Sequence, residues 1–254
     1  MISPGAVLHE SVRIGPYCII GSNVVLGEGT RCHAHVNIDG RTTIGKHCEI
    51  FPFASIGTVP QDLKFNGEPT TLVIGDHNTI REHVTMNIGT SQDNGTTVVG
   101  SHCLFMMGSH VAHDCIVGDH VIMANNATLA GHVTVGEHAI LGGLSAVHQF
   151  VRIGRYAMIG GGTAVPSDIA PFSVAKSDRA KLAGLNLVGL RRAGFKNSDI
   201  QQVKKAYQDL LLNKAEQVIE ITERLTAAYP DNIMIEELCE FVLAKSKRGF
   251  VKPV

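Results

Sequence analysis

Residues 99–135, VGSHCLFMMGSHVAHDCIVGDHVIMANNATLAGHVTV, place an apolar residue at every sixth position. The series continues without a break to residue 165, and its members are Val99, Phe105, Val111, Val117, Met123, Leu129, Val135, Leu141, Val147, Ile153, Ile159 and Val165. In a chain with 44% apolar residues, twelve consecutive matches would arise by chance about once in 10⁴ trials. Because six is not a helical period, the series indicates a repeating architecture.

A second register with the same period covers the first third of the chain. Its members are Ile2, Leu8, Ile14, Ile20, Leu26, Cys32, Ile38, Ile44, Ile50 and Ile56, and then Ile74, Ile80 and Met86 after a break. A unit of six residues can form one flat side of a triangular coil, with the aliphatic side chain pointing inward and about 18 residues completing a turn. We therefore predict a left-handed parallel β-helix of hexapeptide repeats over residues 1–170. A sandwich of short strands is the alternative, but nothing in a sandwich would hold a six-residue phase for so long.

Two stretches break the repeat. Asp62 and Glu68 fall at positions that would otherwise face the core, so residues 58–73 are predicted to leave the β-helix as a loop. Residues 87–98 shift the phase by one and are predicted to form a second loop. Long loops on a rigid scaffold are frequently functional.

The repeat ends near Pro166, and residues 171–254 are predicted to form a C-terminal α-helical domain. The capping-box pattern at residues 198–201 precedes one helix, residues 214–228 suit a second and residues 232–246 a third. A solenoid end exposes unpaired backbone and apolar core, so a helical cap has a structural role there.

Composition limits the classes of function. The 254 residues include 22 basic and 23 acidic ones, which gives no reason to expect nucleic acid as a partner. No apolar run reaches the roughly 20 residues of a membrane span and the N-terminus lacks a signal-peptide pattern, so we expect a cytoplasmic protein without stable membrane insertion. The six cysteines have no CxxC spacing and are predicted to be reduced packing residues.

The repeat also assigns each of the thirteen histidines a position within its hexad, so that unusual positions stand out. If the inward residue is position 1, eight of them fall at position 4, where they are predicted to lie on turns: His35, His47, His77, His83, His102, His120, His132 and His138. Only His110 and His113 occupy positions 6 and 3. These two histidines are therefore the first candidates for a function.

Residues one coil apart lie above one another, which places His113 beneath Gly131 and Gly131 beneath Gln149, while Asp114 lies beneath His132. An imidazole titrates near pH ~6.5 and can accept a hydroxyl proton at neutral pH, and a neighbouring carboxylate can orient it. Glycine lets a ligand approach the backbone N–H, as an oxyanion site requires. This edge is predicted to hold a general base with an oxyanion donor. Three histidines on neighbouring coils could instead hold zinc, and the repeat does not show that His110 and His113 converge.

Five segments in this order closely resemble the UDP-N-acetylglucosamine 3-O-acyltransferases that begin lipid A synthesis. The resemblance covers nearly the whole chain. The segments are Gln61-Asp62-Leu63-Lys64, His110-Val-Ala-His113-Asp114, Asn125-Asn-Ala-Thr-Leu-Ala-Gly131-His132, Ala146-Val-His148-Gln149-Phe150 and Gly184-Leu-Asn186-Leu-Val-Gly-Leu-Arg191-Arg192.

The resemblance implies a homotrimer that needs no cofactor or metal, with active sites between neighbouring β-helices. The substrates would be UDP-N-acetylglucosamine and a 3-hydroxyacyl chain on the phosphopantetheine thioester of acyl carrier protein. His113 would act as the base, Asp114 would support it and the N–H of Gly131 would bind the oxyanion. Gly161 would set the length of the acyl chain.

By the same resemblance, the substrates would be bound by Gln61, Asp62, Lys64, His110, His132, His148, Gln149, Asn186 and Arg192. Arg179 and Ala193 differ from the residues that some members have at these positions. The difference concerns the affinity of the C-terminal domain for carrier protein or nucleotide. Three alternatives stay open at this point: an N-acyltransferase acting on a UDP-amino sugar, a metal-dependent γ-type carbonic anhydrase and a scaffold without catalysis.

Overall fold

The computed structural model describes residues 1–212 and 217–251. Residues 7–185 form short strands of two to five residues. In chain order they are β1 (Val7–Leu8), β2 (Arg13–Ile14), β3 (Ile19–Ile20), β4 (Val25–Leu26), β5 (Arg31–Cys32), β6 (Asn37–Ile38), β7 (Arg41–Ile44), β8 (Glu49–Ile50), β9 (Ser55–Thr58), β10 (Thr71–Ile74), β11 (Thr79–Ile80), β12 (Thr85–Asn87), β13 (Thr96–Val99), β14 (Leu104–Phe105), β15 (His110–Val111), β16 (Ile116–Val117), β17 (Ile122–Met123), β18 (Thr128–Leu129), β19 (Thr134–Val135), β20 (Ile140–Leu141), β21 (Ala146–Val147), β22 (Arg152–Ile153), β23 (Met158–Ile159), β24 (Ala164–Val165), β25 (Ser173–Lys176) and β26 (Lys181–Leu185).

Each strand of the repeat pairs in parallel with the third strand before and after it, which builds three flat sides. Side I runs from β1 to β22 and has eight strands, side II runs from β2 to β23 and is extended by β25 and β26 to ten, and side III runs from β3 to β24 and has eight. Val117 pairs with Val99 below and Val135 above, so the residues of the six-residue series stack directly on one another. The predicted left-handed parallel β-helix is confirmed.

The inward residues of all three sides form one continuous core. Leu129, Leu141 and Ile159 are fully buried, as are the inward residues of most other coils. The six cysteines are free and buried, so they pack in the interior as predicted. Burial raises the pKa of the Cys32 and Cys115 thiols to about 12, so both stay protonated at neutral pH.

The eight position-4 histidines lie on turns, as predicted, and all of them have left-handed backbone with φ between 53° and 64°. Among non-glycine residues, histidine is one of the few types enriched in that region. Along the edge between sides I and II five of these imidazoles stack on their neighbours, with ring centroids 4.6–5.1 Å apart: His47, His77, His102, His120 and His138. These histidines therefore support the turns of successive coils.

Both predicted loops are present, and both are shorter than predicted. Loop 1 comprises residues 59–70 and loop 2 residues 88–95, because Thr71–Ile74 and Thr96–Val99 rejoin side I as β10 and β13. The Ser91 hydroxyl donates to Glu68 Oε1 over 2.9 Å and joins the two loops. Both loops leave the β-helix at the edge between sides III and I.

The C-terminal region differs from the prediction at its start, because residues 173–185 form β25 and β26 and not helix. The helices are α1 (Leu187–Arg192), α2 (Asn197–Leu212), α3 (Val218–Ala228) and α4 (Ile233–Leu243). Residues 214–216 of the predicted second helix lie outside the described residues, and the third helix ends three residues earlier than predicted. The capping-box prediction is wrong, because α2 already includes Ser198, whose hydroxyl donates to Asp199.

Residues 244–251 return from α4 to the β-helix. Asp168 N donates to Gly249 O and Val251 N to Asp168 O, with lengths of 2.8 and 3.0 Å. Arg248 Nε donates to the carbonyl of Gln149 over 2.8 Å, so this segment lies against the edge between sides III and I. Among the described helices, none is long and apolar enough to cross a membrane.

Candidate active site

A cavity of about 650 Å³ opens at the edge between sides III and I, which we call the III–I edge. Three successive coil turns form its floor, loops 1 and 2 form one wall and the C-terminal segment contributes to another. The lining residues are Gln61, Asp62, Leu63, Lys64, Gln92, Asp93, His113, His132, Gln149, Phe150 and Lys247.

His113 and Asp114 form a hydrogen-bonded pair in the floor of this cavity. The Nδ1 atom of His113 lies 2.8 Å from Asp114 Oδ2, and the carboxylate side chain is fully buried. The carboxylate also accepts from Thr90 N at 3.0 and 3.1 Å and from the Thr90 hydroxyl at 2.6 Å. These bonds satisfy the buried carboxylate and fix the imidazole with Nδ1 toward it, which leaves Nε2 for a ligand.

Gly131 lies directly against the ring of His113. A Cβ atom at this position would be 2.6 Å from both Cε1 and Nε2 of the imidazole, a distance that real Cβ atoms do not reach. Within the described residues, the backbone N–H of Gly131 donates to no other group, whereas the neighbouring N–H of His132 donates to the carbonyl of His113 over 3.0 Å. A free N–H donor and a free imidazole nitrogen therefore lie side by side.

His132 forms a second pair with a carboxylate. Its Nδ1 atom lies 2.7 Å from Asp93 Oδ2 in loop 2, and only 13% of its side chain is exposed. One ring face stacks on Phe150 with centroids 4.3 Å apart, and the ring meets His113 edge-on at 4.9 Å. Lys247 Nζ lies 4.1 Å from the Phe150 centroid. Loop 2, three successive coils and the C-terminal segment thus meet at one column of side chains.

The remaining predicted residues are less closely grouped. His110 is half-buried on side III, with Nδ1 2.7 Å from the Thr85 hydroxyl, and burial followed by the charge of His113 lowers the pKa of His110. His148 is exposed next to Gln149 on the III–I edge. Gly161 is exposed on the opposite edge of side III, between sides II and III.

Asn186 and Arg192 lie on the C-terminal domain. Asn186 is buried, its Oδ1 accepts from Gly189 N at 3.0 Å as the cap of α1, and its Nδ2 donates to the carbonyl of Tyr156 at 3.0 Å. Both polar atoms of this side chain are therefore used inside the protein. Arg192 is exposed at the last turn of α1, so Asn186 fixes the helix that carries this cation.

Comparisons with known proteins assign the chain to a family. A family model described as Udp N-acetylglucosamine O-acyltransferase, domain 2, matches residues 168–251, and a bacterial transferase hexapeptide model matches residues 96–131. A curated acyl-(acyl-carrier-protein)-UDP-N-acetylglucosamine O-acyltransferase from Azorhizobium caulinodans is 53% identical, over 99% of this chain and 93% of the relative. The chain belongs to the UDP-N-acetylglucosamine O-acyltransferase family.

Other members of the family agree in sequence and in structure. The O-acyltransferase of the same name from Thermodesulfovibrio yellowstonii is 50% identical, over 99% of this chain and 97% of its own length. The crystal structure of UDP-N-acetylglucosamine O-acyltransferase from Moraxella catarrhalis superposes with a TM-score of 0.90 at 42% identity and covers 99% of both chains. These relatives support the O-acyltransferase prediction and none of the three alternatives.

The zinc alternative of three histidines is not supported by the geometry. Among the described residues, the possible ligand atoms that come within 4.8 Å of one another belong to His113, Asp114 and His132, and His110 is not one of them. The Asp114 carboxylate already accepts from Thr90 and His113. These contacts make the Asp114 carboxylate a hydrogen-bond partner of the His113 imidazole.

Several residues of this site, among them Asp93, Phe150 and Lys247, were not predicted from the sequence. Asp93 and Lys247 lie outside the hexapeptide repeat, so the coil arithmetic gave them no position. Phe150 was quoted only as part of a motif, yet it occupies position 4 of the coil above His132, as the period itself would have shown. For Asp93 and Lys247 no comparable signal exists in the repeat.

Proposed function

We propose that this protein transfers a 3-hydroxyacyl chain from the thioester of acyl carrier protein to the 3-hydroxyl of UDP-N-acetylglucosamine. The observation that carries this proposal is the pairing of His113 with a buried carboxylate beside the free N–H of Gly131. Acyl transfer needs a base for the hydroxyl and a donor for the oxyanion, and the His113 imidazole and the adjacent Gly131 backbone can supply them.

In the proposed mechanism His113 Nε2 accepts the proton of the sugar 3-hydroxyl as its oxygen bonds to the thioester carbonyl carbon. The N–H of Gly131 donates to the oxyanion of the tetrahedral intermediate. The C–S bond then breaks, and the leaving thiolate takes the proton from His113. Asp114 holds the ring and stabilises the imidazolium, and no cofactor or metal takes part.

Incubating the protein with UDP-N-acetylglucosamine and 3-hydroxyacyl carrier protein tests the proposal directly. Mass spectrometry is expected to detect UDP-3-O-acyl-N-acetylglucosamine together with free carrier-protein thiol in equal amounts. Thioester consumption without acylated sugar would contradict it, because water would then be the acceptor.

We further propose that the active protein is a homotrimer whose clefts lie between β-helices. Support comes from the edge between sides II and III, where Tyr17, Phe53, Met107 and Leu144 expose 77%, 52%, 47% and 69% of their surface. Apolar side chains aligned along one edge are typical of an interface. Light scattering is expected to give three times the 27.2 kDa chain mass, and a fully active monomer at micromolar concentration would contradict the proposal.

The proposed binding set divides by position. Gln61, Asp62 and Lys64 line the cavity from loop 1, and His132 and Gln149 line it from the coils. We propose that these residues contact the sugar nucleotide, with His110 and His148 beside them. We assign Arg192 to the phosphate groups of the donor or the nucleotide and give Asn186 the role of fixing α1.

Lys247→Met is expected to raise KM for UDP-N-acetylglucosamine about three- to tenfold and to change kcat less than about twofold. Methionine keeps an unbranched stem over Phe150 but removes the cation that lines the cavity. Because the cation would stabilise the bound diphosphate in both the ground state and the transition state, its loss should weaken binding and change kcat little. Steady-state kinetics over a range of salt concentrations measure the effect. Lys245→Met, exposed two residues earlier, is the control, and equal effects of the two variants would contradict a local role.

Gly161→Met is expected to shift preference toward shorter acyl donors without loss of activity on them. The outward residues Thr128, Ala146 and Ala164 stack on side III and leave a shallow strip between the III–I edge and the edge that carries Gly161. A Cβ at Gly161 would lie 3.3 Å from the Gly143 carbonyl oxygen, a tight contact that a shift of a few tenths of an ångström relieves, and its next neighbour, Gly143 N, would lie 3.9 Å away. Each buried methylene contributes about 0.8 kcal/mol until the chain meets an obstruction. Rates on carrier-protein thioesters of increasing length measure the shift, and an unchanged length profile would place the stop elsewhere.

A further inference from the structure

We propose that Asp93 is a positioning residue that holds His132 in the orientation needed to bind UDP-N-acetylglucosamine. The inference rests on the proposed function and assigns a task to loop 2. It starts from the 2.7 Å contact between Asp93 Oδ2 and His132 Nδ1, which joins a loop residue to an imidazole in the cavity wall.

The ring of His132 needs such a partner because its stacking on Phe150 does not select one orientation. A half-turn of the ring about Cβ–Cγ preserves the stacked geometry on Phe150 but exchanges the positions of Nδ1 and Cδ2. A carboxylate on one side removes this freedom, since only Nδ1 can donate to it. With Nδ1 bound to Asp93, the Nε2 atom is the one left for the ligand.

Asp114 does not replace Asp93 in this task. Its Oδ2 atom lies 3.9 Å from His132 Nδ1, beyond hydrogen-bond distance, and the same atom accepts from His113 Nδ1 and from the Thr90 hydroxyl. The structure therefore contains two separate pairs, Asp114 with His113 and Asp93 with His132. Each imidazole has its own carboxylate.

Loop 2 supplies a contact to each pair, and these contacts predict different kinetic effects. Thr90 supports the carboxylate of the base pair, so its loss should act on the chemical step. Asp93 supports the imidazole that we assign to substrate binding, so its loss should act on affinity. If Asp93 merely kept loop 2 in place, its removal would also loosen Thr90 and lower kcat.

The test measures kcat, KM and the calorimetric Kd for UDP-N-acetylglucosamine in the full chain. We expect Asp93→Ala to raise KM and Kd about five- to tenfold with kcat within about twofold, which is the net size of one typical hydrogen bond. Thr90→Val should lower kcat about five- to tenfold with KM within about twofold. Asn94→Ala, the adjacent exposed position of loop 2, should leave all three values unchanged.

A double-mutant cycle then asks whether Asp93 acts through His132. In a His132→Ala background, Asp93→Ala is expected to change KM and Kd less than about twofold. An undiminished effect there would overturn the inference, as would a fall in kcat like that of Thr90→Val with unchanged KM. Activity in the wild type with no effect of Asp93→Ala would overturn this inference alone, whereas a wild type without transfer activity would overturn the proposed function.

Discussion

His113→Ala is expected to lower kcat at least about 10²-fold while the protein remains folded and oligomeric. The substitution removes the imidazole that we assign as the base, and positioned base catalysis contributes about 10²–10⁴-fold. The groups that we assign to binding stay, so KM should change far less than kcat. Steady-state rates on UDP-N-acetylglucosamine and a 3-hydroxyacyl carrier protein, together with light scattering, measure both parts of the prediction.

His138→Ala is the matched control for this variant. His138 belongs to the stack on the edge between sides I and II, where it contacts His120 and Tyr156 at 4.6 and 4.5 Å, away from the III–I edge. Its loss should cost some stability through two ring contacts and leave kcat nearly unchanged. Similar activity in the two variants would contradict the assignment of His113 as the base.

The β-helix was predictable because every hexad obeys the same geometric rule. One residue in six points into a narrow core, so the sequence must repeat an apolar side chain at that interval, as Val99, Val117 and Val135 show. The same rule placed His113 beneath Gly131 and Asp114 beneath His132, because parallel strands one coil apart keep their register. A site that lies on the repeat can therefore be located by arithmetic.

The rest of the site does not follow the repeat. Loop 2 leaves the solenoid before Asp93 and rejoins it after, and its path depends on hydrogen bonds of its own, such as Ser91 to Glu68. Lys247 reaches the cavity only because residues 244–251 fold back along the β-helix. Neither path is encoded in a six-residue period.

Asn186 has a structural role that its motif did not indicate. Its place in a family motif suggested a contact with substrate, whereas its side chain caps α1 and binds the carbonyl of Tyr156. An asparagine three residues before Gly189, at the start of an apolar helical segment, is also a typical helix N-cap. Helix capping therefore accounts for an asparagine at this position.

Gly131→Ala is expected to lower kcat at least about 10²-fold, although it adds only one methyl group. The alanine Cβ would lie 2.6 Å from Cε1 and Nε2 of His113, so the imidazole must move away from the N–H that we assign to the oxyanion. The backbone of Gly131 is not in the left-handed region, so alanine can adopt it and the fold should persist. Rates and thermal unfolding of the variant measure the two effects separately, and a large loss of stability would contradict the local explanation.

The double variant Gly131→Ala with His113→Ala separates the position of the imidazole from the oxyanion N–H. Alanine at 131 keeps its N–H, and removal of the imidazole vacates the space that the new methyl group needs. If Gly131→Ala acts by displacing His113, it should therefore cost less than about threefold in the His113→Ala background. An equally large loss in that background would show that glycine is needed for the approach of the thioester to the backbone N–H, independently of the ring.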